Sequence, residues 1–313
     1  ARFHLSRHRV SAARHVIQND RLTRMGMTLT LFTAVLWGGN SVAIKMALAG
    51  VAPIFLAGLR FLLGGLFVFV WAVITRTRLK LASGEFGKIL RLILLFVSQI
   101  YLLNAGTHNT LAGRSTVLIS AYPFFTTLFA HLYIEGDRAT RSRFVGMALS
   151  FSAVAVVFAE SFATGQLDYL RGDGMVLASA CLLGARQVYT KRLAQNILPT
   201  KLLVWQAFIS LPIFFGASLL LETDPRMVLN PRIMLGIFYQ GVVIAGFCFL
   251  IMTSLLKKHQ ASRIGIFGFI TPLFGVLLSS VLLKEPISPA LFGSVLLVGI
   301  GIEQIFQAPR KSS

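Results

Sequence analysis

The sequence predicts an all-α integral membrane protein with ten transmembrane helices, arranged as two inverted five-helix repeats. Three observations support this fold class: a low charge content, ten long apolar stretches, and a motif that occurs twice. Of the 313 residues, 55% are hydrophobic and only 13% are charged. A soluble domain has about 25% charged residues, so most of this chain is expected to lie in a lipid bilayer.

The apolar stretches have the length of membrane-spanning helices. About 20 apolar residues in a helix cross ~30 Å of hydrocarbon. The stretches are too long for the strands of a membrane barrel and do not alternate in polarity as such strands do. The predicted spans are 27–48, 53–75, 88–107, 112–134, 144–162, 172–192, 201–221, 232–256, 263–283 and 289–307.

The basic residues predict the orientation of these spans. Twenty-two of the 30 Lys and Arg residues fall on one side of the spans and five on the other, with Lys45, Arg60 and Arg186 inside spans. Because cytoplasmic loops are rich in Lys and Arg, both termini are predicted to be cytoplasmic, in a bacterial inner (plasma) membrane. The net charge of +19 then reflects basic loops beside anionic lipid, and no nucleic-acid partner is expected. The tail 1–26 is either a solvated cytoplasmic segment or a targeting segment.

A repeated motif indicates two related halves. Segments 112–125 and 261–274 both begin with Ala, a small residue and Arg, and both place a proline nine residues after the arginine, at Pro123 and Pro272. An odd number of spans in each half inverts the second copy in the membrane. Inverted repeats are widespread in secondary transporters, where the halves flank a site near the bilayer midplane.

Further pairs extend this correspondence. Glu135 and Glu285 follow the two motifs near the ends of their spans, Gly38 corresponds to Gly184, and Lys45 corresponds to Lys191. The predicted organisation is a basic cytoplasmic N-terminal tail, a first repeat, a second repeat and a cytoplasmic C-terminal tail. These units cover residues 1–26, 27–162, 172–307 and 308–313.

Three sequence stretches resemble a known family. They are LWGGNSVAIKMAL at 36–48, AGRSTVLISAYPFFTTLFAHLYIEG at 112–136 and ASRIGIFGFITPLFGVLLSSVLLKEP at 261–286. They resemble the EamA-like branch of the drug/metabolite transporter superfamily. The resemblance implies ten helices, spans five and ten at the periphery, and alternating access to a central cavity for amino acids, other metabolites or toxic compounds. One departure is that Leu183-Gly-Ala-Arg186 stands where the first half has Trp37-Gly-Gly-Asn40.

Charged and polar residues within spans are candidates for binding a substrate. A charge inside the membrane costs at least ~2.5 kcal/mol, which makes Arg60 and Arg186 the strongest candidates. The alternative is that their guanidinium groups satisfy backbone carbonyls or snorkel toward water. Lys45 lies near a helix end, where snorkelling is the better explanation. The candidate cavity residues are Trp37, Asn40, Ser41, Lys45, Arg60, Tyr101, Tyr122, Arg186 and Tyr189.

Glycine and proline mark candidate gating or kink positions. Gly38 and Gly39 weaken one helical turn, and Pro123 and Pro272 each free a backbone carbonyl at corresponding positions of the two halves. Such kinks let a gate move, although membrane helices also use them for close packing.

Missing motifs narrow the function. The sequence contains no GxxxxGK[ST], HExxH or GxSxG motif, so we expect no ATP-driven pumping, catalytic residues, metal site or cofactor. The expected function is secondary transport, as a permease working as an exporter or exchanger, of a small metabolite such as an amino acid or another anion-bearing compound. A membrane sensor or scaffold and a lipid-modifying enzyme are the alternatives. The expected partners are a small-molecule substrate and the lipid bilayer, with a homodimer left open.

Overall fold

Helices make up the regular structure of the protein. The computed structural model describes residues 17–137, 141–163, 168–222, 227–228 and 230–307. Within these ranges there is no β-strand, only isolated bridges between Asp20 and His259 and between Val51 and Met227. The helices are α1 (Arg24–Gly38), α2 (Asn40–Leu48), α3 (Pro53–Ile74), α4 (Glu85–His108), α5 (Ala112–Ile119), α6 (Tyr122–Tyr133), α7 (Arg141–Ala163), α8 (Asp168–Ala194), α9 (Pro199–Leu221), α10 (Pro231–Phe238), α11 (Phe249–Lys258), α12 (Ala261–Ile266), α13 (Thr271–Leu283) and α14 (Pro289–Gln307).

Seven helical segments in the described part of the chain are long and apolar enough to cross a membrane. They are Arg24–Leu48, Pro53–Ile74, Glu85–His108, Ala112–Tyr133, Pro199–Leu221, Pro231–Lys258 and Ala261–Leu283. The chain is therefore a multi-pass helical membrane protein. Predicted spans five, six and ten correspond to α7, α8 and α14. The 27-residue α8 contains Asp168, Arg171, Asp173, Arg186, Lys191 and Arg192, which lower its mean hydropathy.

Four of these segments are interrupted near their middle. The first changes direction at Gly39, and the fourth breaks at Ser120 and Ala121, just before Pro123. A π-helix, Tyr239–Cys248, joins α10 to α11, and a 3-10 turn, Phe267–Ile270, precedes Pro272. Proline has no N–H to donate and clashes with the preceding turn, which explains breaks at the two corresponding prolines. Their part in gating stays a prediction.

Two glycines allow helices to cross at corresponding positions of the two halves. A Cβ atom on Gly38 would lie 2.7 Å from the Cβ of Phe274, and one on Gly184 would lie 2.6 Å from the Cβ of Phe125. Only glycine permits either approach. Each phenylalanine follows its kink proline by two residues, so α1 crosses α13 in the way that α8 crosses α6.

Two lysines donate hydrogen bonds to backbone carbonyl groups at the C-terminal ends of helices. Lys45 Nζ donates to the carbonyl oxygens of Thr107, His108 and Thr110 at 3.1, 3.0 and 2.6 Å, at the end of α4. Helix ends leave four carbonyl groups without intrahelical partners, and a membrane supplies none. Lys45 is therefore a helix cap rather than a snorkelling residue.

Lys191 has the corresponding role at the end of α11. Its Nζ donates to the carbonyl oxygens of Gln18, Leu256 and His259 at 2.7, 3.2 and 2.6 Å. Lys191 lies at the end of the predicted span 172–192; α8 continues past it to Ala194, and its side chain is fully buried. Lys45 and Lys191 thus make the same kind of contact, as their sequence correspondence suggested.

Two carboxylates cap helix starts. Glu285 accepts hydrogen bonds from the N–H groups of Ala112 and Gly113, both at 2.9 Å, at the start of α5. At the start of α12 the corresponding acceptor is Asp137, which takes the backbone N–H of Ser262 at 3.2 Å and its hydroxyl. The structure therefore pairs Glu285 with Asp137, and the predicted pairing with Glu135 is wrong.

Arg114, Glu160 and Asp173 form a buried ion cluster. Arg114 donates to the carboxylates of Glu160 and Asp173, and Thr110 donates to Asp173 at 2.7 Å. The charge count treated Arg114 as a loop residue and Asp173 as part of a turn, although the predicted spans 112–134 and 172–192 include them; they lie in α5 and α8 and both are buried. Since local sequence does not reveal partners in distant helices, these charges looked like loop residues.

Helices α7 and α14 form a lateral pair. They pack mainly against each other, and the Ser294 hydroxyl donates to the Ala153 carbonyl at 3.2 Å. The remaining helices surround the center of the molecule, where the interrupted segments meet.

Candidate functional site

A central cavity lies where the breaks in the helical segments converge. Its volume is about 50 Å³. Its walls come from both halves of the chain. The lining residues are Trp37, Asn40, Ser41, Arg60, Gln99, Ile100, Leu103, Ile119, Ser120, Tyr122, Leu183, Arg186, Gln187, Phe249 and Thr271.

Six of the predicted cavity residues line this space. They are Trp37, Asn40, Ser41, Arg60, Tyr122 and Arg186. Residues 37, 40 and 41 follow the i, i+3, i+4 spacing that puts side chains on one helical face, and the break at Gly39 lies between them. Tyr122 is the first residue of α6, directly after the break at Ser120 and Ala121. Contact of these residues with a substrate stays a prediction.

The other three predicted residues lie outside the cavity, which corrects their assignment. Lys45 caps α4, as described above. The Tyr101 side chain is 41% exposed, so it faces away from the center. Tyr189 donates its hydroxyl to the Lys88 carbonyl at 3.2 Å and borders an outer groove with Arg91. Helical spacing predicts which face of a helix a residue occupies. It does not predict which other helix packs against that face.

Three nitrogen atoms of the two buried arginines have no hydrogen-bond acceptor in the described part of the chain. Arg60 is 1% exposed and Arg186 is 8% exposed. Nε and Nη1 of Arg60 and Nη1 of Arg186 are buried and have no partner. Both groups line the same cavity. A buried guanidinium normally forms several charge-assisted hydrogen bonds, and the described residues do not supply them here.

Aromatic rings support both guanidinium groups. Arg60 Cζ lies 5.2 Å from the ring centroid of Phe61. Arg186 Cζ lies 5.2 Å from the centroid of Phe96 and 5.1 Å from that of Phe249. Phe61 also packs edge-on against Phe96, with centroids 4.4 Å apart. Cation–π contacts favour a cation over a ring face and leave the in-plane N–H groups free to donate.

Neutral amides complete the polar lining. Gln99 Nε2 donates to the Ser179 hydroxyl at 2.9 Å, while Gln99 Oε1 and Asn40 Oδ1 have no partner. Gln187 Oε1 accepts from the Thr126 hydroxyl at 3.3 Å. Sequence reasoning missed both glutamines, although each is an amide within a predicted span and Gln187 directly follows Arg186.

A second cavity adjoins the first. Its volume is about 30 Å³, and it shares Trp37, Arg186, Gln187 and Phe249 with the central cavity. Its remaining walls come from α4, the end of α8, the start of α9 and α11. Arg186 therefore lines both spaces.

The chemistry of this site suits binding rather than bond breaking. The lining offers two cations, amides, hydroxyls and aromatic rings, and it contains no Asp, Glu, Cys or His. Across the described residues, no group of three or more His, Cys, Asp or Glu side chains could hold a metal ion. Fold and cavity together define a multi-pass helical membrane protein with a central polar site.

Comparison with known proteins identifies the family. The model of the EamA-like transporter family matches twice, at residues 24–159 and 170–306. The chain belongs to this family, and hence to the drug/metabolite transporters. It is a membrane transporter and not an enzyme, as the family and the names of its relatives indicate.

Individual relatives agree with this assignment over nearly their whole length. The chain is 26% identical to a probable amino-acid metabolite efflux pump of Escherichia coli, over 90% of this chain and 94% of that protein. It is 22% identical to an S-adenosylmethionine/S-adenosylhomocysteine transporter of Chlamydia trachomatis, over 90% of this chain and 89% of that protein. A crystal structure with a TM-score of 0.74 and 17% identity covers 93% of this chain and 100% of its own, which shows the fold alone.

Proposed function

We propose that the protein is a secondary transporter that moves a small, anion-bearing metabolite by alternating access to the central cavity. The observation behind this proposal is the pair Arg60 and Arg186, buried in one cavity without an acceptor. A carboxylate or phosphate group in the cavity would accept hydrogen bonds from both guanidinium groups. Arginine suits this role because its planar donors match both anions.

The alternating-access mechanism rests on an inverted repeat, which we propose for residues 27–162 and 172–307. Two kinds of contact support it. The Gly38–Phe274 and Gly184–Phe125 crossings correspond, and so do the caps made by Lys45 and Lys191. In this proposal ten helices span a bacterial inner membrane, both termini are cytoplasmic, and the breaks at Gly39, Pro123 and Pro272 let each half rock between two states.

Flux through proteoliposomes tests this function. We expect the purified full-length protein to transport at least one labelled compound from a panel of carboxylates, amino acids and phosphate esters. Arg186→Gln should remove that flux, because the substituted amide cannot form the same charge-assisted pair. The matched control is Arg91→Gln, since Arg91 is exposed and its Nε donates only to the Gly87 carbonyl at 3.2 Å.

Two results would contradict the proposal. Unchanged flux of every accepted compound in Arg186→Gln would exclude Arg186 from the binding site. Binding without flux, in vesicles that contain the folded protein, would favour a membrane sensor or scaffold.

A further inference from the structure

The charge balance of the cavity is uneven. Arg60 and Arg186 bring two positive charges, and no lining residue is acidic. The ion pairs in the described part of the chain are Arg114 with Glu160, Arg114 with Asp173, and Lys201 with Glu85. None of them involves either cavity arginine. The described residues therefore supply two positive charges to the site and no counter-charge.

The partners that the two arginines do have cannot neutralise them. The rings of Phe61, Phe96 and Phe249 attract a cation through their electron-rich faces but carry no net charge. The amides of Asn40 and Gln99 are neutral in either orientation of O and N. Burial of an unpaired cation is far more costly than these contacts can offset.

Arg60 and Arg186 line the cavity, and three of their buried nitrogen atoms have no acceptor among the described residues. Lysines elsewhere in the chain show what a satisfied buried cation looks like, since Lys191 Nζ donates to three carbonyl oxygens. Arg60 lies inside α3, seven residues after its start, and Arg186 lies inside α8, eight residues before its end. There the carbonyl groups are already used by the helices themselves. An anion bound in the cavity would supply the acceptors that the described residues do not provide.

We infer that the cargo carries two negative charges, as a small dicarboxylate or a phosphomonoester does. This inference rests on the proposed transport function and specifies its substrate class. A dianion balances both arginines, whereas a monoanion leaves one charge unpaired. A zwitterionic amino acid adds an ammonium group to a site that has no carboxylate to receive it, so the site discriminates against it.

Matched pairs of ligands that differ by one charge test this inference. Binding of succinate and monomethyl succinate, and of methyl phosphate and dimethyl phosphate, is measured by thermal shift and titration calorimetry on the solubilised full-length protein. We expect at least one dianion to bind at least about tenfold more tightly than its monoanionic partner, because the monoanion leaves a buried charge unpaired. The two pairs also distinguish a dicarboxylate site from a phosphate-ester site.

Variants connect this preference to the two arginines. In Arg60→Gln the ratio of dianion to monoanion affinity should fall close to one, while Arg91→Gln should keep the wild-type ratio. A serine affinity equal to that of succinate, or an unchanged ratio in Arg60→Gln, would overturn the inference. If monoanions bind as tightly as dianions and require Arg186, the two-charge inference fails and the proposed function stands. If no anion of either valence binds, the proposed function fails with it.

Discussion

The buried lysines and the buried arginines of this protein differ in what surrounds them. Lys45 and Lys191 each donate to three carbonyl oxygens at the end of a helix. Arg60 and Arg186 lie inside helices, over phenylalanine rings, with buried N–H groups that have no acceptor among the described residues. A charge inside a membrane protein therefore does not mark a functional site by depth alone. The informative property is whether its donors are already satisfied.

The largest loss of stability is expected from Lys191→Met. The substitution leaves the carbonyl groups of Gln18, Leu256 and His259 without their charged donor in a fully buried place. We expect the free energy of unfolding to fall by about 3 kcal/mol, seen as a lower Tm in detergent micelles. Lys258→Met, at an exposed position of the same region, is the control. An equal Tm for the two variants would show that the Lys191 cap does not contribute to stability.

Lys45→Met should have a smaller effect of the same kind. Lys45 is only half-buried, so water can reach part of the end of α4 and replace some of the lost hydrogen bonds. We expect a decrease of about 1–2 kcal/mol in the free energy of unfolding, measured by the same thermal unfolding. A loss larger than that of Lys191→Met would contradict the dependence on burial.

Arg60→Met should change stability least, although it removes a charge of similar depth. No hydrogen bond from this guanidinium is lost, and an uncompensated buried cation is replaced by an apolar side chain of similar length. We expect the free energy of unfolding to stay within about 1 kcal/mol of the wild type or to increase. A loss as large as that of Lys191→Met would mean that Arg60 has a structural partner and would remove the contrast between the two kinds of cation.

Much of the fold could be predicted from local sequence. Hydrophobic length located most helices to within a few residues, as the predicted span 53–75 and the observed helix Pro53–Ile74 show. The rarity of charge in apolar segments identified Arg60 and Arg186, which do line the cavity. The repeated motif indicated the proline breaks. These signals succeed because each depends on residues that are close together in the chain.

Features that depend on distant partners could not be predicted in the same way. Tyr101 and Tyr189 resembled cavity residues because they are polar aromatics in apolar spans, yet their neighbours turn them outward. Arg114 and Asp173 looked like loop charges because their partners are separated by 59 residues. Glu135 was paired with Glu285 by counting, whereas the capping contact selects Asp137, which approaches Ser262 in space.

The two carboxylate caps also restrict the order in which the chain can complete its fold. The start of α5 receives its cap from Glu285, which lies 173 residues after Ala112. The contact between Asp137 and Ser262 likewise requires a residue that lies 125 positions further along the chain. A ribosome delivers the first half well before either contact can form, so that half enters the bilayer with the start of α5 uncapped by a carboxylate. Only synthesis of nearly the whole chain allows the last helices to complete the first ones.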